Sequence, residues 1–120
     1  MDIRLVIRPV QAQDWNAWLP LWQGYNAFYG RAGATALPEV VTRTTWQRFF
    51  DAYEPVHALV AQQGERLVGL THYLFHRSTT QLGGASSVYW QTHQTNTTAM
   101  QLYDRVAAKS GFIVYRRDPA

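Results

Sequence analysis

The sequence predicts an α/β (α+β) fold in which a mixed, mostly antiparallel sheet is flanked by helices, and three observations carry this. Two strand-like runs, Val56 to Ala61 and Leu67 to Phe75, flank Gln62-Gln63-Gly64-Glu65, a short glycine-bearing link of the kind that joins antiparallel strands. Large apolar residues recur at helical spacing in three separate stretches. The chain ends on a strand–helix–strand order, which requires a crossover.

Taken in order, Ile3, Leu5 and Ile7 alternate with Arg4, Val6 and Arg8, giving a half-buried strand that stops at Pro9. Asp14 suits an N-cap for a helix carrying Trp15, Trp18, Leu19, Trp22, Asn26 and Tyr29 on one stripe. Leu21, Tyr25 and Phe28 make a second stripe. Pro20 is expected to kink or split this helix, and Gly30 and Gly33 to close it. Thr44-Thr45-Trp46-Gln47 fits a capping box. A second helix is therefore expected from there to Glu54-Pro55, with Trp46, Phe49, Phe50 and Tyr53 on one face. After the hairpin, Val88 to Trp90 reads as a strand. Ala99, Leu102, Tyr103, Val106 and Ala107 form a helical face, with Gly111 at C′ and Phe112 folding back on the last turn. Phe112 to Tyr115 reads as a final strand.

At 120 residues, the chain is the size of one domain with one core. Apolar residues make up 47% and charged residues 16%, which excludes a disordered chain. No apolar run nears the roughly 20 residues of a membrane span. The opening residues lack the apolar core of a secretion signal, so the expected location is the cytoplasm. There is no cysteine, hence no disulfide, thiol nucleophile or thiolate metal site. The net charge of +3 is spread along the chain instead of forming a stripe. That argues against nucleic acid and leaves room for a small anionic ligand.

Two stretches carry a family resemblance. The opening, IRLVIRPVQAQDW, has a strand–Arg-Pro–polar–Asp-Trp layout, and RLVGLTHYLF follows a hairpin turn with Val-Gly. More specific is VYWQTHQTNTTAMQLYDRVAAKSGFIVYRR. There Asn96, Ala99, Leu102 and Tyr103 form N-x-x-A-x-x-L-Y ahead of Gly111-Phe112. On these residues the chain resembles the GCN5-related N-acetyltransferase (GNAT) family. The resemblance implies a single N-acetyltransferase domain over residues 1–120, with acetyl-CoA as cosubstrate and a small-molecule or peptide amine as acceptor. It implies no metal and no membrane.

The chain departs from the family pattern in one place. FHRSTTQL runs directly into GGASSVYW, where the family has a fourth strand and a glycine-rich turn into a helix that grips the cosubstrate's pyrophosphate. Those elements need on the order of 25–40 residues. Either the segment is left out of the sequence as written, which predicts a backbone break between Gln81 and Gly84, or the protein lacks it. A protein lacking it would be a shortened, non-catalytic module that meets a partner protein through its aromatic N-terminal helices.

By the same resemblance, Tyr103 is the general acid that protonates the departing CoA thiolate and also contacts the cosubstrate. Asn96 bonds the pantetheine arm. Each has a plainer role as well, Tyr103 as a core residue and Asn96 as an N-cap. Trp22, Tyr25 and Tyr29 are expected to wall the acceptor pocket. The same aromatic run also suits a core with a homodimer contact. His72 and His76 lie some 13 Å apart along a strand at about 3.3 Å per residue, too far to share a metal. Either could serve as a base or as a plain polar strand residue.

Overall fold

Gly64, with φ at +62°, lets the central hairpin turn in two residues. Glu65 has negative φ, so the turn has the II′ shape that matches strand twist. In the computed structural model, which describes residues 4–76, 79 and 87–119, this turn joins β2 (Val56–Gln63) to β3 (Arg66–Leu74). The pairing is antiparallel, with Gln63 opposite Arg66 and Ala58 opposite His72. The register steps by one between Ala61 and Gln62. The expected hairpin is present. β1 (Leu5–Pro9) lies antiparallel on the other edge of β2, so the sheet order is β1-β2-β3.

The chain forms two compact units, Met1–Gly84 and Ala85–Ala120. In the first, α1 (Trp15–Phe28) follows a 3-10 turn over Ala12–Asp14. It runs through Pro20 without splitting. Proline removes the hydrogen bond to the carbonyl of Asn16, but Asn16 and Pro20 are both exposed, so water can satisfy that group. Gly30, at φ +80°, ends the helix as expected.

α2 (Glu39–Arg48) starts well before the expected capping box, which places Thr44 to Gln47 inside the helix. The true start signal is Pro38-Glu39. A proline needs no N–H partner, and the acid suits the first turn, where it also pairs with Arg43 one turn on. The helix stops at Arg48, so Phe49, Phe50 and Tyr53 lie beyond it.

The core is small and centred on Trp18, which is fully buried. Val10, Ala58 and Val60 form a buried cluster against which Trp46, Phe49 and Leu67 pack. One polar network joins the pieces. The Arg8 guanidinium donates from both terminal nitrogens to the Asp14 carboxylate, at 2.7 and 2.9 Å, and from Nε to Gln62 Oε1 at 2.8 Å. The Gln11 amide donates to the same carboxylate at 2.7 Å. Asp14 therefore holds the strand to the helix entry; it stands at the N-cap position of α1, but its carboxylate accepts from the Gln11 amide that opens the 3-10 turn and not from the N–H groups of α1.

In the second unit, α3 (Thr97–Val106) forms where a helix is expected, but Ala107 lies beyond its end and Leu102 and Val106 of the expected apolar face are exposed. The expected strands at Val88 to Trp90 and Phe112 to Tyr115 are absent; both segments are extended or irregular and exposed. A strand needs a neighbouring strand for its N–H and C=O groups, and among the described residues neither segment is paired into a sheet. Gly111 does carry positive φ, at +85°, but α3 ends at Val106, too early for a glycine cap. Phe112 is 91% exposed and touches no helix turn. The expected break between Gln81 and Gly84 lies outside the described residues. Among the described residues, no helix is long and apolar enough to cross a membrane.

Arg8 beside Asp14 holds that carboxyl below the usual aspartate range. Its stabilising contribution is thus present at neutral pH and is lost as pH falls through its lowered value. Asp14→Asn should destabilise the first unit by about 2–4 kcal/mol, since it removes the charged partner of a largely covered guanidinium and puts an amide N–H₂ where a carboxylate oxygen accepted. Urea unfolding at neutral pH will measure this. A midpoint equal to wild type would show that the network is not structural.

Candidate functional site

α1 repeats aromatic side chains every three to four residues, so they stand in a row along one side of the helix. Trp18 stacks on Trp22 at 5.7 Å, Trp22 on Tyr25 at 5.6 Å, and Tyr25 meets Tyr29 at 5.1 Å. Trp15 and Trp46 complete the buried end, at 5.7 and 4.9 Å from Trp18. Between α1 and the segment leading into α2 lies a cavity of about 490 Å³, within the size range of small-molecule sites. Trp15, Leu19 and Trp22 line it from the helix, and Arg31, Glu39 and Arg43 from the other side.

Two polar devices shape this wall. Trp22 Nε1 donates to Thr42 Oγ1 at 3.1 Å, which fixes the indole plane. Arg43 pairs with Glu39 at 2.8 Å and lies over the Trp15 ring at 5.5 Å. Of the three residues expected to bind the acceptor, Trp22 lines the cavity. Tyr25 and Tyr29 continue the aromatic row beyond it, 45% and 42% exposed.

His72 has a role that its sequence context did not announce. It sits among Trp18, Trp22 and Phe49, with ring centroids at 5.9, 5.0 and 4.7 Å. Trp18 Nε1 donates to His72 Nε2 at 3.1 Å. The imidazole is therefore neutral, carries its proton on Nδ1, and has its basic nitrogen occupied. Burial pushes its pKa down to about 4. His72 is a partner for the buried tryptophan and is badly placed to act as a base. His76, four residues on and past the end of β3, is exposed.

In the second unit, Tyr103 is half-buried on α3, with its ring edge-on to Trp90 at 5.3 Å. Its hydroxyl has no hydrogen-bond partner among the described residues, so it is available to a ligand. Asn96 stands at the N-cap position, as expected for a cap. Its side chain turns away, however, and Nδ2 donates to Thr92 Oγ1 at 3.1 Å. The residues that sequence reasoning passed over are Asn26, Arg31, Glu39, Thr42 and Arg43. Their signal was present in part: Asn26 is a polar residue on an otherwise apolar stripe.

Because His72 is neutral in the fold and ordinary in the unfolded chain, the unfolded state binds more protons between the two pKa values. Stability should then be full above about pH 6.5 and fall toward pH 4, by on the order of 1–2 kcal/mol once solvent reaching the partly exposed ring is allowed for. Urea midpoints taken across this range will show the slope. His72→Gln, whose carbonyl oxygen can still accept from Trp18, should flatten it. An unchanged slope would place the titration elsewhere.

The chain is similar to the D-amino-acid N-acetyltransferase HPA3 of Saccharomyces cerevisiae, 25% identical over 151 aligned positions that take in 96% of this chain and 91% of that protein. Since this chain has 120 residues, at least 31 of those positions face no residue of it. No family model matches.

Proposed function

We propose that this protein is an N-acetyltransferase that moves an acetyl group from acetyl-CoA to the amine of a small acceptor, of the amino-acid class named for the yeast relative. The observation that carries the reading is the likeness to that enzyme along nearly the whole chain, together with the Asn96–Tyr103 pattern on α3. The aromatic cavity of the first unit supports a small acceptor over a large one, because it is concave and mostly apolar.

The reaction joins the acceptor nitrogen to the thioester carbon and breaks the carbon–sulfur bond. The thiolate leaves with the bonding pair, and the amine surrenders a proton to solvent. In this proposal, Tyr103 delivers the proton that the thiolate needs and regains one from solvent, so the proton lost by the amine balances the one gained by the thiol. A phenol held beside the departing sulfur can serve as general acid in such a step. The Tyr103 hydroxyl, without a hydrogen-bond partner among the described residues, and the edge-on hold of Trp90 on its ring suit that task. His72 takes no part in the proton transfer, because its lone pair faces Trp18. Asn96 would hold the pantetheine arm, and its present bond to Thr92 is one that a ligand amide could replace.

Release of free CoA thiol, followed with a panel of small amines, tests the reading. Tyr103→Phe keeps the contact with Trp90 and should lower kcat by about ten- to a thousandfold, with KM for acetyl-CoA nearly unchanged. An unchanged kcat would return Tyr103 to a packing role. Absence of thiol release with every amine would overturn the enzymatic reading.

A further inference from the structure

The turn after α1 builds a rigid cation into the cavity wall. Asn26 is 5% exposed and fully engaged: its Nδ2 donates to the Trp22 carbonyl at 2.9 Å, and its Oδ1 accepts from Arg31 Nε at 2.8 Å. The Arg31 backbone N–H also donates to the Asn26 carbonyl at 2.8 Å, so side chain and main chain are clamped to the same residue. The guanidinium lies over the Tyr29 ring at 5.6 Å. With Nε committed, both terminal nitrogens of Arg31 have no partner among the described residues, and Arg31 lines the cavity. The other cavity arginine, Arg43, differs, because Glu39 already neutralises it.

A planar cation held at Nε and on one face, with its two-nitrogen edge open beside aromatic and aliphatic walls, matches a carboxylate carried on a small apolar molecule. A phosphate would suit the cation equally, but not the walls of Trp15, Leu19 and Trp22. We infer that Arg31 is the specificity residue of the α1–α2 cavity and grips the carboxylate of an amino-acid acceptor by a two-pronged hydrogen bond. This rests on the acetyltransferase reading for its chemistry, though not for the binding itself. Asn26 is the positioning residue that points the guanidinium, and Trp22 packs beside the acceptor's side chain.

The test compares phenylalanine with phenylalaninamide, which differ only in the carboxylate, in wild type and Arg31→Gln. Wild type should favour phenylalanine in kcat/KM, and Arg31→Gln should lose about 10- to 100-fold on phenylalanine with little change on the amide. Equal losses on both, or none on either, would overturn the assignment. Binding read by quenching of tryptophan emission separates this from failure of the function. If no acetyl transfer occurs but phenylalanine still quenches wild type and not Arg31→Gln, the carboxylate site stands and the enzyme reading falls. If transfer occurs without any preference for the carboxylate, the enzyme reading stands and this site falls. Inorganic phosphate competing as well as phenylalanine would also overturn the amino-acid assignment.

Discussion

Trp18 is the residue on which the first unit is assembled, and its indole N–H is the constraint. A fully buried tryptophan brings the largest apolar side chain into the core together with one donor that must be satisfied. His72 meets that need from the neighbouring strand, which sets the depth and rotation at which α1 lies on β3. The rings of Trp15, Trp22, Trp46 and Phe49 then take their places around Trp18. The cavity wall belongs to the same stack: Trp15 and Trp22 both touch Trp18 and both line the open space. Core packing and pocket shape are therefore one arrangement. A change at Trp18 or His72 would alter both.

Much of this architecture could be read from the residues, and the misreadings have physical causes. The hairpin was legible because glycine at the turn and apolar runs on both sides agree. Pro20 does not split α1, because proline's cost depends on whether the freed carbonyl can reach water, which depends on the face it occupies. The start of α2 was missed because two threonines and a glutamine imitate a cap. Pro38-Glu39 was the competing signal, and the Glu39–Arg43 pair favours it. The segments around Tyr89 and Ile113 have strand composition and form no strand. Strand formation belongs to a pair of segments, and no property of one segment supplies its neighbour.

The site was legible to a different degree. Tyr103 and Asn96 stand on α3 where the pattern puts them, although Asn96 turns its amide to Thr92 instead of the helix end. Trp22 is on the cavity wall. Arg31 gave no signal because its importance comes from Asn26, five residues earlier, and from a turn that folds the chain back on itself. His72 looked like a candidate base until the fold supplied a donor to its nitrogen. A histidine's chemistry is decided by what each ring nitrogen faces, and sequence spacing does not report that.

The order β1-β2-β3 leaves β2 as the only strand, among the described residues, with hydrogen-bonded neighbours on both edges. Its amides can open only if one of two hairpin-like pairings is undone, whereas those on the outer edges of β1 and β3 already face away from the sheet. Solvent deuterium should accordingly enter the first unit from its margins and reach Val56–Gln63 last. Protection in β2 would then report the global stability of that unit, with its two flanking strands reporting smaller, local openings. The molecule carries a built-in gradient of opening energies running outward from one strand.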